Sequence, residues 1–152
     1  MKIKNRLSFT SKLLLSISGL ILIASCFLPI WNIQLSAPQY PGGLNLLIYS
    51  YKLSGDIDVV NGLNHYIGMR ALHQKDFAEF IVLPYIIALF ALASTMVALF
   101  SNRRGLYFLL SSFLFFGIIA MFDFWHWEYH YGHNLNPDAA IIVPGMSYQP
   151  PL

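Results

Sequence analysis

Apolar residues gather in three runs, 13–30, 80–100 and 106–122, and none of the three holds Lys, Arg, Asp, Glu or His. Each is close to the ~20 residues that a helix needs to cross about 30 Å of hydrocarbon. The hydrocarbon interior has no water to satisfy bare amides, so such runs are predicted to be helices. Between them the pattern changes. Trp31, Ile33 and Leu35 alternate with Asn32, Gln34 and Ser36, which is strand period. Ala37-Pro38-Gln39-Tyr40-Pro41-Gly42-Gly43 reads as a turn, because proline fixes φ and glycine permits positive φ. A second strand follows to Leu53, with Leu47, Tyr49, Tyr51 and Leu53 on one face, and Ser54-Gly55-Asp56 ends it. The stretch 31–53 is therefore a predicted β-hairpin, too small to be stable without packing on something else.

A short helix is predicted over 59–69. Asp58 would cap it, with Val59, Leu63, Tyr66 and Ile67 as its apolar stripe, and Gly62 and Gly68 weaken it. Asp76-Phe77-Ala78-Glu79 has capping-box spacing and starts the second long helix near Phe77. Pro84, about two turns in, should bend it. Residues 101–105 form a tight connection that makes the second and third runs an antiparallel pair. The third can continue past Phe122 into 123–131, until Gly132, Asn134 and Pro137 stop it. The tail beyond is predicted to be irregular and stiffened by Pro144, Pro150 and Pro151.

Charge sets the topology. Only 11% of residues are charged against 57% hydrophobic, a balance unlike that of a soluble domain or a disordered chain. Lys2, Lys4, Arg6 and Lys12 precede the first run, and Arg103 and Arg104 separate the second from the third. Short basic segments stay in the cytoplasm. The tail 1–12 and the turn 101–105 are thus predicted inside, and 31–79 and 123–152 outside, on one face. The basic residues are too few and too dispersed for nucleic acid. The expected architecture is an all-α integral membrane protein in lipid. It has three transmembrane helices, N-terminus in and C-terminus out, and a small extracytoplasmic α+β cap of hairpin, short helix and irregular tail.

A rival reading treats the N-terminus as a lipoprotein signal, with Ile23-Ala24-Ser25-Cys26 as its processing site and Cys26 lipidated. The residues after Cys26 (Phe27, Leu28, Pro29, Ile30, Trp31) stay apolar, which favours a retained signal-anchor helix. Cys26 is the only cysteine, so there is no internal disulfide and no cysteine-pair metal site.

All five histidines (His65, His73, His126, His130, His133) fall on the predicted outer face, as do Met69 and Met146. Imidazole together with thioether suits copper, the cuprous ion above all. At helical pitch His65 and Met69 lie about 40° apart and could share an ion; alternatively, His65 bonds a carbonyl and Met69 fills a gap. His126, His130 and His133 would fall within about 60° of one another if the helix reaches them. Their alternative is an interfacial belt, to which Trp125, Trp127, Tyr129 and Tyr131 belong. Val143-Pro144-Gly145-Met146 presents a methionine on a turn, or simply lies on the domain or a partner. There is no haem-attachment sequence, phosphate loop, dinucleotide fingerprint or His-Glu-x-x-His, and no intramembrane charge. Haem, nucleotide and self-sufficient enzyme chemistry are not indicated.

Several strings have a family look: Ala37-Pro38-Gln39-Tyr40-Pro41, Ser54-Gly55-Asp56-Ile57-Asp58, Leu63-Asn64-His65-Tyr66-Ile67-Gly68-Met69, Tyr131-Gly132-His133-Asn134-Leu135 and Pro144-Gly145-Met146-Ser147-Tyr148-Gln149-Pro150-Pro151. Together they resemble the small NosB-like membrane proteins encoded with the Sec-exported (clade II) nitrous oxide reductase. The resemblance covers nearly half the chain, and Asn-His-Tyr-Ile-Gly-Met is its most distinctive part. It implies an accessory of nitrous oxide respiration in the inner membrane, beside a periplasmic copper enzyme, serving maturation, copper delivery or electron supply. Carried over residue by residue, it favours His65, Met69, His133 and Met146 as copper ligands; His126 and His130 lie outside the matching strings. The alternative is a metal-free structural or electron-transfer subunit that docks a reductase or cytochrome through Trp125, Trp127 and Tyr148.

Overall fold

The computed structural model describes residues 6–136 and 138–140. The chain is mostly helical: α1 (Phe9–Ser25), α2 (Ile57–Ile67), α3 (Glu79–Phe100) and α4 (Arg103–His133), with strands β1 (Trp31–Ala37), β2 (Tyr40–Ile48) and β3 (Leu53–Gly55) between α1 and α2. Two of these, α3 and α4, are long and apolar enough to cross a membrane, and α1 is a shorter apolar helix.

The ends of α1 differ from the apolar run 13–30. Ser8 is extended and its hydroxyl accepts from the Ser11 amide at 3.1 Å, so the helix starts at Phe9 and includes Lys12. It stops at Ser25, well short of Ile30. There Cys26 and Phe27 donate to Ile23 and Ala24 at 3.2 and 3.0 Å, a tightened final turn, and Pro29 bars any continuation. α1 packs along α3. Gly19 makes this close approach possible, because a methyl at that position would sit 3.1 Å from both the Ala91 carbonyl and the Thr95 hydroxyl. Ser94 donates across the same contact to the Leu15 carbonyl at 2.7 Å.

The connection between α3 and α4 is shorter than the 101–105 expected. Ser101 takes the left-handed conformation (φ 54°, ψ 40°), and Asn102 caps α4 by accepting from the Arg104 amide at 3.0 Å. Arg103 and Arg104 are already helical. The Leu7 amide lies 3.2 Å from the Ser101 carbonyl and 3.0 Å from its hydroxyl, and Arg6 bridges Asn102. Arg6, Arg103 and Arg104 therefore share one end of the bundle.

At the other end of α3 the expected capping box is absent. Asp76 sits in a short 3-10 turn (Gln74–Asp76), and its carboxylate faces Arg70 at 3.9 Å. Phe77 is extended because its ring is drawn onto Phe80, Trp127 and Tyr131, so α3 begins at Glu79 with Ala78 before it. Pro84 is the sixth residue of the helix.

The sheet is antiparallel in the order β1-β2-β3. The turn is only Pro38-Gln39; Tyr40 pairs with Ala37, and Pro41, Gly42 and Gly43 belong to β2. The second strand does not run to Leu53. It ends at Ile48, a tight turn closed by Tyr49 N to Lys52 O (2.9 Å) follows, and Leu53–Gly55 forms a third strand. That turn resets the alternation, so Leu44, Leu46 and Leu53 face inward beside Ile33, while Tyr51 is exposed.

α2 begins one residue after Asp56, which takes the capping position instead of Asp58. The Asp56 carboxylate accepts from the Asn45 amide (2.8 Å), and its own amide donates to the Asn45 carbonyl (2.8 Å), so it ties the helix start to β2. Val60 is the buried residue of α2, and Tyr66 points to the surface. The helix stops at Ile67 because Gly68 turns left-handed (φ 79°, ψ 7°), leaving Met69 beyond the end.

The core comprises Ile33, Leu44, Leu46 and Leu53 from the sheet, Val60 from α2, Leu72, and Tyr131 from the last turn of α4; Phe77 and Trp127 pack on it. At 31 residues and 1.5 Å per residue, α4 is about 46 Å long. Its last turns pack against the sheet and α2 through Trp127 and Tyr131.

Candidate functional site

The end of α2 and the chain leaving α4 enclose an open cleft of about 380 Å³. His65, Met69 and Arg70 line one side, and Asn134, Leu135 and Asn136 the other. Two clasps build it. The Asn61 side chain accepts from the Leu72 amide (2.7 Å) and donates to the Leu72 carbonyl (3.0 Å), which folds the loop after α2 back along the helix. The Asn136 amide donates to the Gly68 carbonyl at 2.8 Å, which fastens the chain beyond α4 to the end of α2. Gly68 is required there for space as well as for its φ. A methyl on it would lie 2.9 Å from Asn136 O and from Ala139 Cβ.

His65 and Met69 thus share a cleft, though not as neighbours on one helix face, because the chain has already turned at Gly68. His65 is exposed; Met69 is half-buried against the core. Arg70 is two-thirds exposed, and its 3.9 Å contact with Asp76 is a loose ion pair of small energetic weight.

His133 does not turn toward 31–79. Its ring stacks on Tyr129 at 4.0 Å and its Nδ1 lies 2.9 Å from the Tyr129 carbonyl, so it is engaged by its own helix. The helix does reach all three histidines, so they share one face, with the His133 ring stacked on Tyr129. His126 and His130 remain a pair, with ring centroids 4.3 Å apart and His130 Nδ1 2.6 Å from the Asn134 amide. Met146 and Tyr148 lie outside the described residues. Trp125 is exposed, and Trp127 is half-buried against the core. Among the described residues, no three His, Cys, Asp or Glu side chains are grouped to hold a metal.

Asn61, Arg70 and Asn136 shape the cleft with no sequence signal, since lone amides and one guanidinium form no periodic pattern, while Asn134 is legible only as a helix stop. Gly68, just beyond an apolar stripe, has the position of a helix stop. Tyr131 is buried, and its hydroxyl and Trp127 Nε1 have no partner among the described residues. It lies on α4 beyond the apolar run. Burial pushes its phenol above the usual value, Arg70 works against that shift, and Asp76 adds to it.

The fold defines a helical chain with two helices long and apolar enough to span a membrane, a small three-stranded sheet, and a cleft of mixed soft and polar lining between the end of α2 and the chain after α4. Comparison with family models, with curated proteins and with solved structures gives no match.

Proposed function

We propose that this chain is an accessory protein of nitrous oxide respiration that handles cuprous copper at the periplasmic face of the inner membrane. The observation that carries the reading is the cleft. It brings His65 and Met69 together, and its far wall belongs to the Tyr-Gly-His-Asn-Leu string, so two stretches that carry the family resemblance meet in one place. One imidazole and one thioether suit a soft monovalent ion. Copper here is cargo, and an exposed cleft with two donors suits an ion that must leave again. Met146 is the proposed third donor.

The reading includes three crossings. α1 is about 26 Å long by its rise per residue, and its tight packing on α3 supports a retained helix over a cleaved lipoprotein signal. Arg6, Arg103 and Arg104 at one end of the bundle support a cytoplasmic placement of that end, with the cap outside. Intact mass tests the first point: a chain beginning at a diacylated Cys26 would refute it.

Copper binding is tested with the full chain in detergent under reducing conditions, by competition against bicinchoninate. Wild type should take up about one cuprous ion, and His65→Gln with Met69→Leu should weaken uptake roughly tenfold or more. Equal and negligible uptake by both would remove the site. The exposure of Trp125 (58%) favours a second reading, a metal-free subunit that docks the reductase. On that reading Trp125→Ala loses co-purification with the reductase while copper uptake stays unchanged.

A further inference from the structure

We propose that His126 and His130, which do not line the cleft but adjoin it at Asn134, form a second metal site, for a borderline divalent ion such as Cu(II) or Zn(II), on the exposed face of α4. The two residues are one helical turn apart, and their rings stand edge to face with centroids 4.3 Å apart. Both side chains are exposed, so an ion reaches them without any opening of the fold. A four-residue spacing on a continuous helix is the geometry in which two imidazoles chelate one ion.

The scaffold beneath the pair is already fixed. Trp127 and Tyr131, each one residue further on, pack into the cap core and hold this part of α4 in place. The ligands are then ordered before metal arrives, which lowers the entropic cost of chelation. Asn134 orients the second ring through its contact with His130 Nδ1. The near atom of Asn134 is its amide nitrogen, which donates to Nδ1; turning the amide over would put its oxygen there to accept from Nδ1–H and leave the Nε2 lone pair for the metal, the usual outer-shell arrangement of a metal-bound histidine. His133 is left out of the pair because its ring is stacked on Tyr129 at 4.0 Å.

The donor set decides the ion. Two imidazoles without a thioether suit copper(II) or zinc rather than the cuprous ion, and copper(II) should bind more tightly by the Irving–Williams order. Asp123 is exposed one turn before His126 on the same face and contributes negative charge nearby. Water completes the coordination.

The test titrates the full chain in detergent with Cu(II) under oxidising conditions, reading occupancy and imidazole coordination by electron paramagnetic resonance, with Zn(II) as competitor. Wild type should show one bound ion carrying two imidazole nitrogens. His126→Gln and His130→Gln, both at exposed positions, should each lower affinity roughly tenfold or more. His65→Gln and Met69→Leu should leave Cu(II) binding unchanged, which keeps this site distinguishable from the cleft. A wild-type spectrum with a single imidazole, or binding that follows His65 instead of His126, would overturn the proposal.

Discussion

Replacing Gly68 by alanine should unfasten the cleft, and the neighbouring Gly62 supplies the control. Gly68 has φ +79°, where an L side chain costs about 1–2 kcal/mol. Its added methyl would meet Asn136 O and Ala139 Cβ at 2.9 Å and Asn136 N at 3.3 Å. Two of those atoms are backbone, so relief requires the chain beyond α4 to lift. Lifting breaks the 2.8 Å bond from the Asn136 amide to the Gly68 carbonyl, worth about 1 kcal/mol. The sum is about 2–3 kcal/mol, concentrated at one clasp. Gly62, inside α2, has open space where its Cβ would be, and alanine there should stabilise the helix by about 0.5–1 kcal/mol. Hydrogen exchange read by mass spectrometry on peptides covering 134–140 and α2 separates the two outcomes. Gly68→Ala should speed exchange at Asn136 by roughly 30-fold or more, the equivalent of about 2 kcal/mol, and Gly62→Ala should not. If the two variants exchange alike at Asn136, the clasp does not hold the cleft.

Three further perturbations probe other contacts. Asn61→Ala removes both bonds to Leu72 and should cost about 2 kcal/mol, seen as faster exchange at the Leu72 amide; unchanged exchange there would refute its role as a clasp. Gly19→Leu overpacks the contact with Ala91 and Thr95 and should cost about 1–3 kcal/mol; an unchanged thermal midpoint in detergent would mean that α1 is not packed on α3. Tyr131 has a raised folded-state pKa, so its contribution to stability is full below the ordinary value of 10.0 and is lost as pH rises through the folded value. Tyr131→Phe should therefore remove part of the alkaline loss of cap stability above pH about 10, with little effect at neutral pH because the hydroxyl has no partner. Superimposable melting curves of the two proteins at high pH would refute that.

The two long helices are legible in the sequence because uncharged apolar runs admit few alternatives. Their ends are less so. Ser8 and the tightened turn at Cys26 shift α1 by four or five residues, and such terminal hydrogen bonds leave almost no trace in hydropathy. The alternation through Trp31, Ile33 and Leu35 does indicate a strand with Ile33 inside. The same reasoning is out of phase in β2, where Leu44 and Leu46 face inward and Leu47 does not, because the Tyr49–Lys52 turn, with neither Pro nor Gly to announce it, separates Leu53 from that strand. Asp76 and Glu79 have the spacing of a capping box, yet Asp76 is turned toward Arg70 and Phe77 is committed to aromatic packing. Tertiary contacts outweigh a motif worth about 1 kcal/mol. For the cleft, residue chemistry pointed to His65 and Met69, while their geometry depends on the left-handed turn at Gly68. The stacking of His133 on Tyr129, one turn back, has no distinct sequence pattern.

The length of α4 joins the membrane part of the chain to its cap. Tyr131 and Trp127 enter the core from the same helix that carries the third apolar run, so the sheet and α2 are held at a fixed position and rotation on α4, and the cleft wall begins at Asn134, immediately after the helix ends. One alanine inserted between Phe122 and Asp123 should turn every later residue by about 100° around the axis. Trp127 and Tyr131 would then leave the core. Burying one large side chain is worth about 1.5–3 kcal/mol, so losing both costs several kcal/mol, comparable with the stability of so small a domain. Amides of β1, β2 and β3 should lose protection together, while those of α3, which belong to the bundle, keep theirs. Full protection of the strand amides would mean that a π-bulge below Asp123 absorbs the extra residue, and that α4 does not position the cap as a rigid rod.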